Sequence, residues 1–428
     1  MTIDADSAIR DDDEAGPAMP VVSAVPAVAA VPAVPAIPLV PAVPAVPPAT
    51  PPRSARATTA AGATPAVDLS VDICGIRFRN PILTAAGPPV QDGKAILACA
   101  EGGAGGLVTK TISRTAAAPA APNMAEVSHG FLNAELWSEL PPEQWIEHEY
   151  AVARQAGLPL IVSLGYTAED MADLAPRVRP FADALELSTH YIGEDAEPMV
   201  AAIRAARAAV DVPIFVKLSP LGREMRRAAE QAQAAGADAI VAINSFGPCL
   251  AIDIETGLPR MGGPDGYGWL SGPALKPLAV RCVHDVATAV DIPVIGCGGV
   301  SRGTDAIEML MAGASAVQVC TAAIIKGPSV FGRIAEETAD WLKRHGHTSP
   351  TEVTGVSLRR VQERPHGVPL LDLDLCNGCG LCELSCGHDA VQVVDGKAIF
   401  DEVFCVQCGL CVSRCRPGAL MWGTASHA

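Results

Sequence analysis

The sequence is poor in aromatic and charged residues. Of its 428 residues, 4% are Phe, Trp or Tyr and 18% are charged, whereas 49% are hydrophobic. Lys and Arg number 31 against 47 Asp and Glu, which gives a formal net charge of −16, and no Lys/Arg-rich run is present. Proteins that bind nucleic acid or anionic membranes need a basic surface, so both classes are disfavoured. The hydrophobic content argues against wholesale disorder, and the length exceeds one average domain.

Nucleotide-binding fingerprints are also absent from the sequence. No Walker-type loop occurs, and no G-x-G-x-x-G run opens a helix after an apolar, strand-like run. The chain therefore lacks the usual signals of a P-loop enzyme and of nicotinamide dinucleotide binding.

Residues 1–66 differ in composition from the rest of the chain. They contain 13 of the 37 prolines, many in Val-Pro-Ala triplets, after an acidic run at Asp11–Glu14. Proline at this density prevents a regular helix and favours extended polyproline II. The acidic start and the prolines argue against a secretory signal or a membrane span. We expect a disordered tail, with a docking segment as the alternative.

From residue 67 onwards, short apolar runs alternate with amphipathic helical stretches. Strands that are apolar on both faces are typical of a parallel sheet covered by helices. Eight βα repeats in about 250 residues predict an α/β fold, a (β/α)8 TIM barrel over 67–345. A linker over 346–370 and a cysteine-rich, ferredoxin-like domain over 371–421 follow. The predicted strands are Ile82–Ala86, Gly106–Lys110, Leu160–Leu164, Ala184–Ser188, Ile214–Leu218, Ala239–Asn244, Val294–Cys297 and Ala316–Thr321.

Eight of the 14 cysteines form two copies of the spacing C-x2-C-x2-C-x3-C. Tight turns let the first three thiolates converge on one iron–sulfur cubane, and the fourth thiolate reaches the other cluster. The spacing therefore predicts two 4Fe–4S clusters, and AVQVVDGKAIF between the repeats predicts a hairpin that turns at Asp395–Gly396. The predicted ligands are Cys376, Cys379, Cys382 and Cys415 for one cluster, and Cys405, Cys408, Cys411 and Cys386 for the other.

Zinc and disulfides are the alternative uses of these cysteines. A zinc site built from two C-x2-C pairs would leave four thiols over. Eight thiolate ligands require a reducing compartment, which disfavours disulfides, so we expect a cytoplasmic protein.

Two lysines end otherwise apolar strands of the predicted barrel, where TIM barrels carry their chemistry. A buried lysine is costly unless it faces an anion, so Lys110 and Lys217 are candidate functional residues. The last two strands end in the turns Gly298–Gly299 and Cys320–Thr321, whose backbone N–H groups suit a phosphate. A phosphate site close to lysines indicates FMN, whose reduced ring a lysine stabilises. Tight-turn glycines with no ligand are the alternative.

These segments resemble the dihydroorotate dehydrogenase superfamily over about residues 67–335. The resemblance is strongest to the flavin-and-ferredoxin part of dihydropyrimidine dehydrogenase and to the iron–sulfur subunit of its bacterial two-subunit form. The C-terminal module resembles bacterial two-cluster ferredoxins, although no proline directly follows Cys386 or Cys415. The motifs that carry the resemblance are NPILTAAG, GGLVTKT, FLNAELWSE, VPIFVKLSP, INS, DIETGLPR, LSGPALKPLAV, IGCGGV and VQVCTA.

The resemblance implies a set of cofactor and substrate residues. An Asn side chain suits a cyclic imide because its amide both donates and accepts hydrogen bonds. Trp137 is expected beside the substrate residues. FMN contacts are implied for Ala86, Lys110, Thr111, Lys217, Gly272, Gly298, Gly299, Cys320 and Thr321, and substrate contacts for Asn133, Glu135, Ser188, Asn244 and Ser245.

The loop after the fourth predicted strand departs from the family pattern. Family members carry ELN-x-SCP, in which Asn binds the substrate and Cys exchanges the proton, whereas this chain reads ELSTHYIG. Ser188 thus replaces the Asn, and Tyr191 replaces the Cys. Acid–base catalysis still needs a donor opposite the flavin, so Tyr191 or His190 is the predicted catalytic residue. Cys249 is a weaker candidate.

These observations predict an FMN- and iron–sulfur-dependent oxidoreductase. The resemblance implies action on a CH–CH or C=C bond beside a carbonyl in a small ring, as in the reduction of uracil or thymine or the reverse reaction. The altered loop leaves open the same chemistry on a non-pyrimidine ring, and a non-catalytic electron-transfer subunit is a second alternative. The ferredoxin-like module implies an electron partner, either an NAD(P)H/FAD reductase subunit or a free ferredoxin. We also expect an oligomer.

Overall fold

The structure is a computed structural model, and it describes residues 66–188, 195–359 and 367–422. Residues 1–65 of the predicted tail lie outside these ranges. A short antiparallel hairpin opens the described chain, formed by β1 (Val71–Ile73) and β2 (Ile76–Phe78).

Eight parallel strands then form the predicted barrel. They are β3 (Ile82–Thr84), β4 (Leu107–Val108), β7 (Leu160–Leu164), β8 (Ala184–Ser188), β9 (Ile214–Leu218), β10 (Ala239–Ala242), β13 (Val294–Cys297) and β14 (Ala316–Val319). Their hydrogen-bonded order is β3-β14-β13-β10-β9-β8-β7-β4, and a parallel bridge between Leu83 and Gly106 joins the two end strands. The TIM-barrel prediction is confirmed, although four of the strands end two residues earlier than expected. The polar residues at those ends leave the sheet ladder and turn into loops.

Helices cover the outside of the barrel. The amphipathic stretches of the sequence predict helices over Pro198–Val210, Met225–Ala235, Leu275–Val290 and Thr304–Ala312. The helices found there begin and end within three residues of these positions. The helices are α1 (Gly93–Glu101), α2 (Pro142–Gln144), α3 (Tyr150–Ala153), α4 (Ala168–Val178), α5 (Glu197–Ala209), α6 (Met225–Ala235), α7 (Lys276–Ala287), α8 (Gly303–Met311), α9 (Thr321–Lys326) and α10 (Val330–Arg344). A π-helical turn, Trp145–Glu149, joins α2 to α3.

Side chains of the barrel strands alternate between two apolar layers. One set packs against the helices, and the other fills the barrel interior, where Phe215 and Val241 are fully buried. Ile73 and Phe78 of the β1–β2 hairpin belong to the interior layer and are also fully buried. The hairpin thus closes one end of the barrel with apolar side chains, which leaves the carboxyl ends of the strands for polar chemistry.

A second, antiparallel sheet was not predicted from the sequence. Its strands are β5 (Met124–Val127), β6 (Gly130–Asn133), β11 (Phe246–Cys249) and β12 (Gly268–Ser271), in the order β11-β12-β6-β5. Each strand has four residues, and glycine or proline occurs in three of them, so the usual strand signals are weak. The sheet is built from the segments that follow β4 and β10.

Part of the segment predicted as a linker packs against the barrel. Pro350–Glu352 and Val356–Arg359 are 3-10 helices, and Val353 between them is buried against Ile307, Leu310 and Leu342. Just before them, the carbonyl of Thr348 accepts a 2.9 Å hydrogen bond from the N–H of Asp68. The barrel region therefore begins and ends at the same place.

The C-terminal module consists of short elements around the cysteines. They are β15 (Leu370–Leu371), α11 (Leu381–Ser385), β16 (Val391–Val394), β17 (Lys397–Phe400), α12 (Leu410–Arg414) and β18 (Leu420–Met421). β16 pairs with β17, and the turn residues Asp395 and Gly396 have φ values of 50° and 76°. These positive values are those of a type I′ turn, so the predicted hairpin is confirmed. Within the described ranges, no helix is both long and apolar enough to span a membrane.

Candidate active site and cysteine cavities

One large cavity lies at the carboxyl ends of the barrel strands. Its volume is about 1320 Å³, including solvent at its mouth. The structure brings together there all nine residues expected to contact FMN and all five expected to contact substrate. These are Ala86, Lys110, Thr111, Lys217, Gly272, Gly298, Gly299, Cys320 and Thr321, with Asn133, Glu135, Ser188, Asn244 and Ser245.

Lys217 lies in the cavity wall with a buried carboxylate behind it. Its side chain is only 5% exposed, and its Nζ donates to Oε1 of Gln318 at 3.0 Å. Oε1 of Glu186 lies 3.5 Å from the same Nζ, and Gln318 also donates to Oε2 of Glu186. Burial opposes the charge on Lys217, but the Glu186 carboxylate raises the pKa of the lysine above its usual value. Lys217 is therefore a cation at physiological pH.

Lys110 has carboxylate partners on the other side of the cavity. Its side chain is 3% exposed and forms an ion pair with Glu135, and Oε2 of Glu139 lies 3.8 Å from its Nζ. Nδ2 of Asn123 donates to Oε1 of Glu135 at 2.8 Å, which fixes the carboxylate in place. The charge of Lys110 is thus already balanced within the protein.

The turn after β13 requires glycine. Gly298 and Gly299 have φ values of 124° and 77°, in the region that favours glycine. A Cβ at Gly299 would lie 2.6 Å from the Cβ of Lys276 and 2.9 Å from the carbonyl oxygen of Gly272, so the packing leaves no room for a side chain. Both glycines line the cavity.

Tyr166 lines the cavity and was missed in the sequence. It follows β7 and lies edge-on to Trp137, with 5.4 Å between the ring centroids. Burial raises the pKa of its phenol to about 12. Lys110 was identified because it lies at the end of a barrel strand. The same criterion, applied to the third predicted strand, would have identified Tyr166. Other cavity-lining residues that were not predicted include Phe131, Leu136, Trp269, Ser301, Gln318 and Lys326.

The predicted catalytic residues His190 and Tyr191 lie outside the described residues. Ser188, which precedes them at the end of β8, is buried and lines the cavity. Cys249 lies on β11, where its thiol is directed to the carbonyl of Phe246 at 3.6 Å, and it is not among the cavity-lining residues.

Two smaller cavities lie in the C-terminal module, and each is lined by four cysteines. A cavity of about 340 Å³ is lined by one predicted set, and a cavity of about 370 Å³ by the other. In the described ranges, no three His, Cys, Asp or Glu side chains lie close enough together to hold one metal ion. The two sets are Cys376, Cys379, Cys382 and Cys415, and Cys386, Cys405, Cys408 and Cys411.

The two cysteine repeats have the same backbone geometry. Gly380 and Gly409 precede α11 and α12 with φ values of 75° and 79°. The fourth cysteine of each repeat accepts a hydrogen bond from the N–H four residues later, at 3.3 Å for Cys386 and 3.2 Å for Cys415. Such N–H···S bonds stabilise thiolate ligands. Both repeats are therefore built in the same way.

The fold and the cavity define the chain as a TIM-barrel oxidoreductase with a C-terminal iron–sulfur module. The family model described as dihydroorotate dehydrogenase matches residues 68–342, and the model of a 4Fe-4S binding domain matches residues 369–392. The chain belongs to the dihydroorotate dehydrogenase family. It is accordingly an FMN-dependent oxidoreductase that carries a 4Fe–4S binding domain.

Similar proteins cover the barrel part of the chain. The catalytic subunit of dihydroorotate dehydrogenase B (NAD(+)) from Methanothermobacter thermautotrophicus is 38% identical over 301 residues, which cover 68% of this chain and 98% of that protein. The corresponding subunit from Pyrococcus abyssi is 36% identical over 303 residues, covering 68% and 99%. A crystal structure of dihydroorotate dehydrogenase from Eimeria tenella in complex with ferulenol has a TM-score of 0.59 at 23% identity, covering 68% of this chain and 89% of that one. The last likeness concerns the fold alone.

Proposed function

We propose that the protein acts on a CH–CH or C=C bond beside a carbonyl in a small, uncharged cyclic amide, as dihydropyrimidine dehydrogenase does with uracil and thymine. The ion pair between Lys110 and Glu135 carries this proposal. The relatives from Methanothermobacter and Pyrococcus are named for dihydroorotate, a ring that bears a carboxylate. Dihydroorotate therefore carries one negative charge that the proposed cyclic amide lacks.

The two buried lysines of the cavity are not available to a substrate carboxylate. In the described part of the cavity wall, the lysines are Lys110, Lys217 and Lys326. The first is paired with Glu135 and the second with Glu186, whereas Lys326 ends α9 at an exposed position. A carboxylate placed near Lys110 would meet Glu135, and two like charges at close range in a buried site cost several kcal/mol. An uncharged ring avoids this repulsion.

Amide and hydroxyl groups supply the contacts that an uncharged ring needs. Asn133, Asn244, Ser188 and Ser245 line the same cavity as Glu135. Nδ2 of Asn133 donates to the carbonyl of Trp269 at 3.1 Å, which holds the amide in one orientation. A cyclic amide presents alternating N–H donors and C=O acceptors, and an Asn side chain matches both.

The residues present fit FMN in the part of the cavity around Lys217. Lys217 supplies a buried cation, and Gly298 and Gly299 line the cavity in a turn whose backbone N–H groups suit a phosphate. Oγ1 of Thr321 donates to Oγ of Ser271 at 2.8 Å, which orients a further hydroxyl there. Bound FMN supplies the hydride acceptor or donor for the reaction. The chain's own residues hold the ring, exclude water and provide a proton, for which His190 and Tyr191 are our candidates.

We further propose that the C-terminal module holds two 4Fe–4S clusters. The 4Fe-4S model matches residues 369–392, which include the first cysteine repeat. The second repeat has the same φ values, the same sulfur hydrogen bonds and its own four-cysteine cavity. Each cavity takes three cysteines from one repeat and the fourth from the other, as in ferredoxins with two clusters. Clusters in this module imply an electron partner, either an NAD(P)H/FAD reductase subunit or a free ferredoxin.

Stopped-flow reoxidation of the reduced flavin tests the proposed substrate class. The holoenzyme is reduced anaerobically and mixed with uracil, thymine, orotate or a cyclic enone. We expect uracil or thymine to reoxidise the flavin at least tenfold faster than orotate does. Faster reoxidation by orotate would reject the uncharged ring. Reoxidation by the enone alone would favour a non-pyrimidine substrate, and none by any ring would favour an electron-transfer subunit.

A further inference from the structure

Glu186 is a buried acid that none of the reaction steps above uses. It lies on β8 with its side chain fully buried, and its Oε1 has no hydrogen-bond partner in the structure. Its surroundings are the Nζ of Lys217 at 3.5 Å and the Nε2 of Gln318, which donates to Oε2. β8 and β9 are neighbours in the barrel, whereas Gln318 reaches the carboxylate from β14.

The two buried charges depend on each other. An isolated carboxylate or ammonium away from water costs several kcal/mol, and burial alone shifts the pKa of such a group by up to 3–5 units toward the neutral form. The two groups lie 3.5 Å apart and are bridged by Gln318, so each offsets the cost of burying the other. Gln318 accepts from Lys217 and donates to Glu186, so one amide satisfies both partners.

We propose that Glu186 is a positioning residue that holds Lys217 as a cation in the wall of the cavity, directed at the bound flavin. The inference requires FMN binding but does not depend on which ring is the substrate. A flavin stores negative charge when it is reduced, and a fixed cation nearby stabilises that charge. Glu186 thus acts on the flavin through Lys217.

Among the described residues, the other ionisable groups around Lys217 cannot replace Glu186. They are the thiols of Cys297 from β13 and Cys320, which follows β14. Burial raises the pKa of both thiols, that of Cys320 to about 12, so both are uncharged at physiological pH. Glu186 is therefore the anion that balances Lys217 in this part of the barrel.

Glu186→Gln tests the proposal, because the change keeps the shape of the side chain and removes its charge. Without the carboxylate, burial lowers the pKa of Lys217 toward the neutral range. We expect a new ionisation between pH 6 and 9 in the flavin absorbance and in the pH dependence of the flavin midpoint potential. The wild type and Glu186→Asp, which keeps the charge, lack this ionisation. The double variant Glu186→Gln, Lys217→Met also lacks it, because the titrating group is gone.

Identical pH profiles in the wild type and in Glu186→Gln would overturn the proposal. A transition of equal size in Glu186→Asp would also overturn it, because the effect would then come from packing rather than charge.

If Glu186→Gln loses FMN, thermal unfolding of the full-length apoprotein tests the same change in the pKa of Lys217. A Lys217 with a lowered folded-state pKa makes stability rise with pH up to the unfolded value near ~10.4. The melting temperature of Glu186→Gln should therefore rise relative to the double variant from pH 6 to 9, and parallel curves would refute the proposal.

Discussion

At the scale of single residues, buried charge pairs decide what the cavity can accept. Lys110 and Lys217 are both less than a tenth exposed, and each has a carboxylate partner. The partner of Lys110 lines the cavity, whereas Glu186 lies outside its lining. In the proposed function, the first pair faces the substrate directly, and the second acts on it only through the flavin.

Glu135→Gln should shift the preference from uncharged to anionic rings. The change frees the charge of Lys110 and removes the carboxylate that would repel a substrate anion. We expect the ratio of kcat/KM for orotate to that for uracil to rise at least tenfold, which corresponds to about 1.4 kcal/mol. Steady-state assays with both rings measure the ratio. Glu139→Gln, at a more exposed carboxylate 3.8 Å from Lys110, is the matched control and should change it less.

The double variant Tyr191→Phe, His190→Ala should lose turnover at least a hundredfold and keep normal reduction of the flavin by its electron donor. General acid catalysis contributes about 10²–10⁴-fold, and reduction of FMN through the clusters does not need this proton. Rapid-mixing measurements of the two half-reactions separate the effects. Unchanged turnover would exclude both residues as the proton donor.

Single residues also show where sequence reasoning reached its limit. Lys110 and Lys217 were identifiable because a lysine at the end of an apolar strand stands out. Tyr166, Glu186 and Gln318 also lie in or just after barrel strands. An aromatic, acidic or amide residue at such a position does not stand out in the sequence, and the sequence does not show which residues it contacts. Gln318 meets Glu186 across 132 residues of sequence, a contact that only barrel closure creates.

At the scale of elements, the loop between β7 and α4 carries a cavity residue and is fixed by the helix cap. The side chain of Thr167 accepts from the N–H of Asp170, and Asp170 bonds back to the N–H of Thr167, which forms a capping box. Oδ2 of Asp170 also accepts from the N–H of Tyr166 at 2.9 Å, and Oδ1 from Ser113 at 2.9 Å. The cap thus orients Tyr166 as well as α4.

Asp170→Asn should destabilise the protein by about 2 kcal/mol at pH 7. Burial opposes the charge, but hydrogen bonds from Tyr166, Thr167 and Ser113 hold the pKa of Asp170 at about 2. A folded-state pKa below the unfolded value gives stability above about pH 4 that is lost as the pH falls toward 2. The difference from wild type in urea denaturation should therefore shrink from pH 5 to 3. Asp173→Asn, at an exposed position on the same helix, should show little effect at any pH.

The eight barrel strands and the hairpin of the C-terminal module were predictable because their patterns are local. Four to six apolar residues bounded by glycine, proline or polar residues identify a buried strand, and Asp-Gly identifies the turn at Asp395. The antiparallel sheet was missed because its strands, such as Phe246–Cys249, are half exposed and come together from distant segments. The sheet matters for the site because β6 carries Asn133 into the cavity.

At the scale of the whole molecule, the chain joins an FMN barrel to an iron–sulfur module. The curated relatives match 68% of the chain, and the 4Fe-4S model matches a segment outside the barrel match. Fold class and cofactor types were predictable because each depends on repeated or local spacing. The substrate was not, because it depends on side chains from several strands and on the loop that contains Tyr191.

Cys415→Ser should affect the same cluster as Cys379→Ser, although these cysteines belong to different repeats. Both residues line the same cavity. Each variant should lose about half of the iron, and the two should retain the same EPR signal in the reduced state. Cys386→Ser and Cys408→Ser, which line the other cavity, should form the complementary pair. A match between Cys415→Ser and Cys408→Ser would contradict the proposed ligand sets.

The hydrogen bond between the N–H of Asp68 and the carbonyl of Thr348 has an evolutionary and practical consequence. A domain whose two ends are adjacent can be inserted, appended to or circularly permuted without stretching its fold, because new chain enters and leaves at one point on its surface. Segments added before or after the domain then do not disturb the carboxyl ends of the barrel strands, on which the chemistry depends. A barrel of this kind is well suited to exchange accessory modules during evolution, and a permutant that joins residues 348 and 68 by a short linker is a reasonable starting point for engineering.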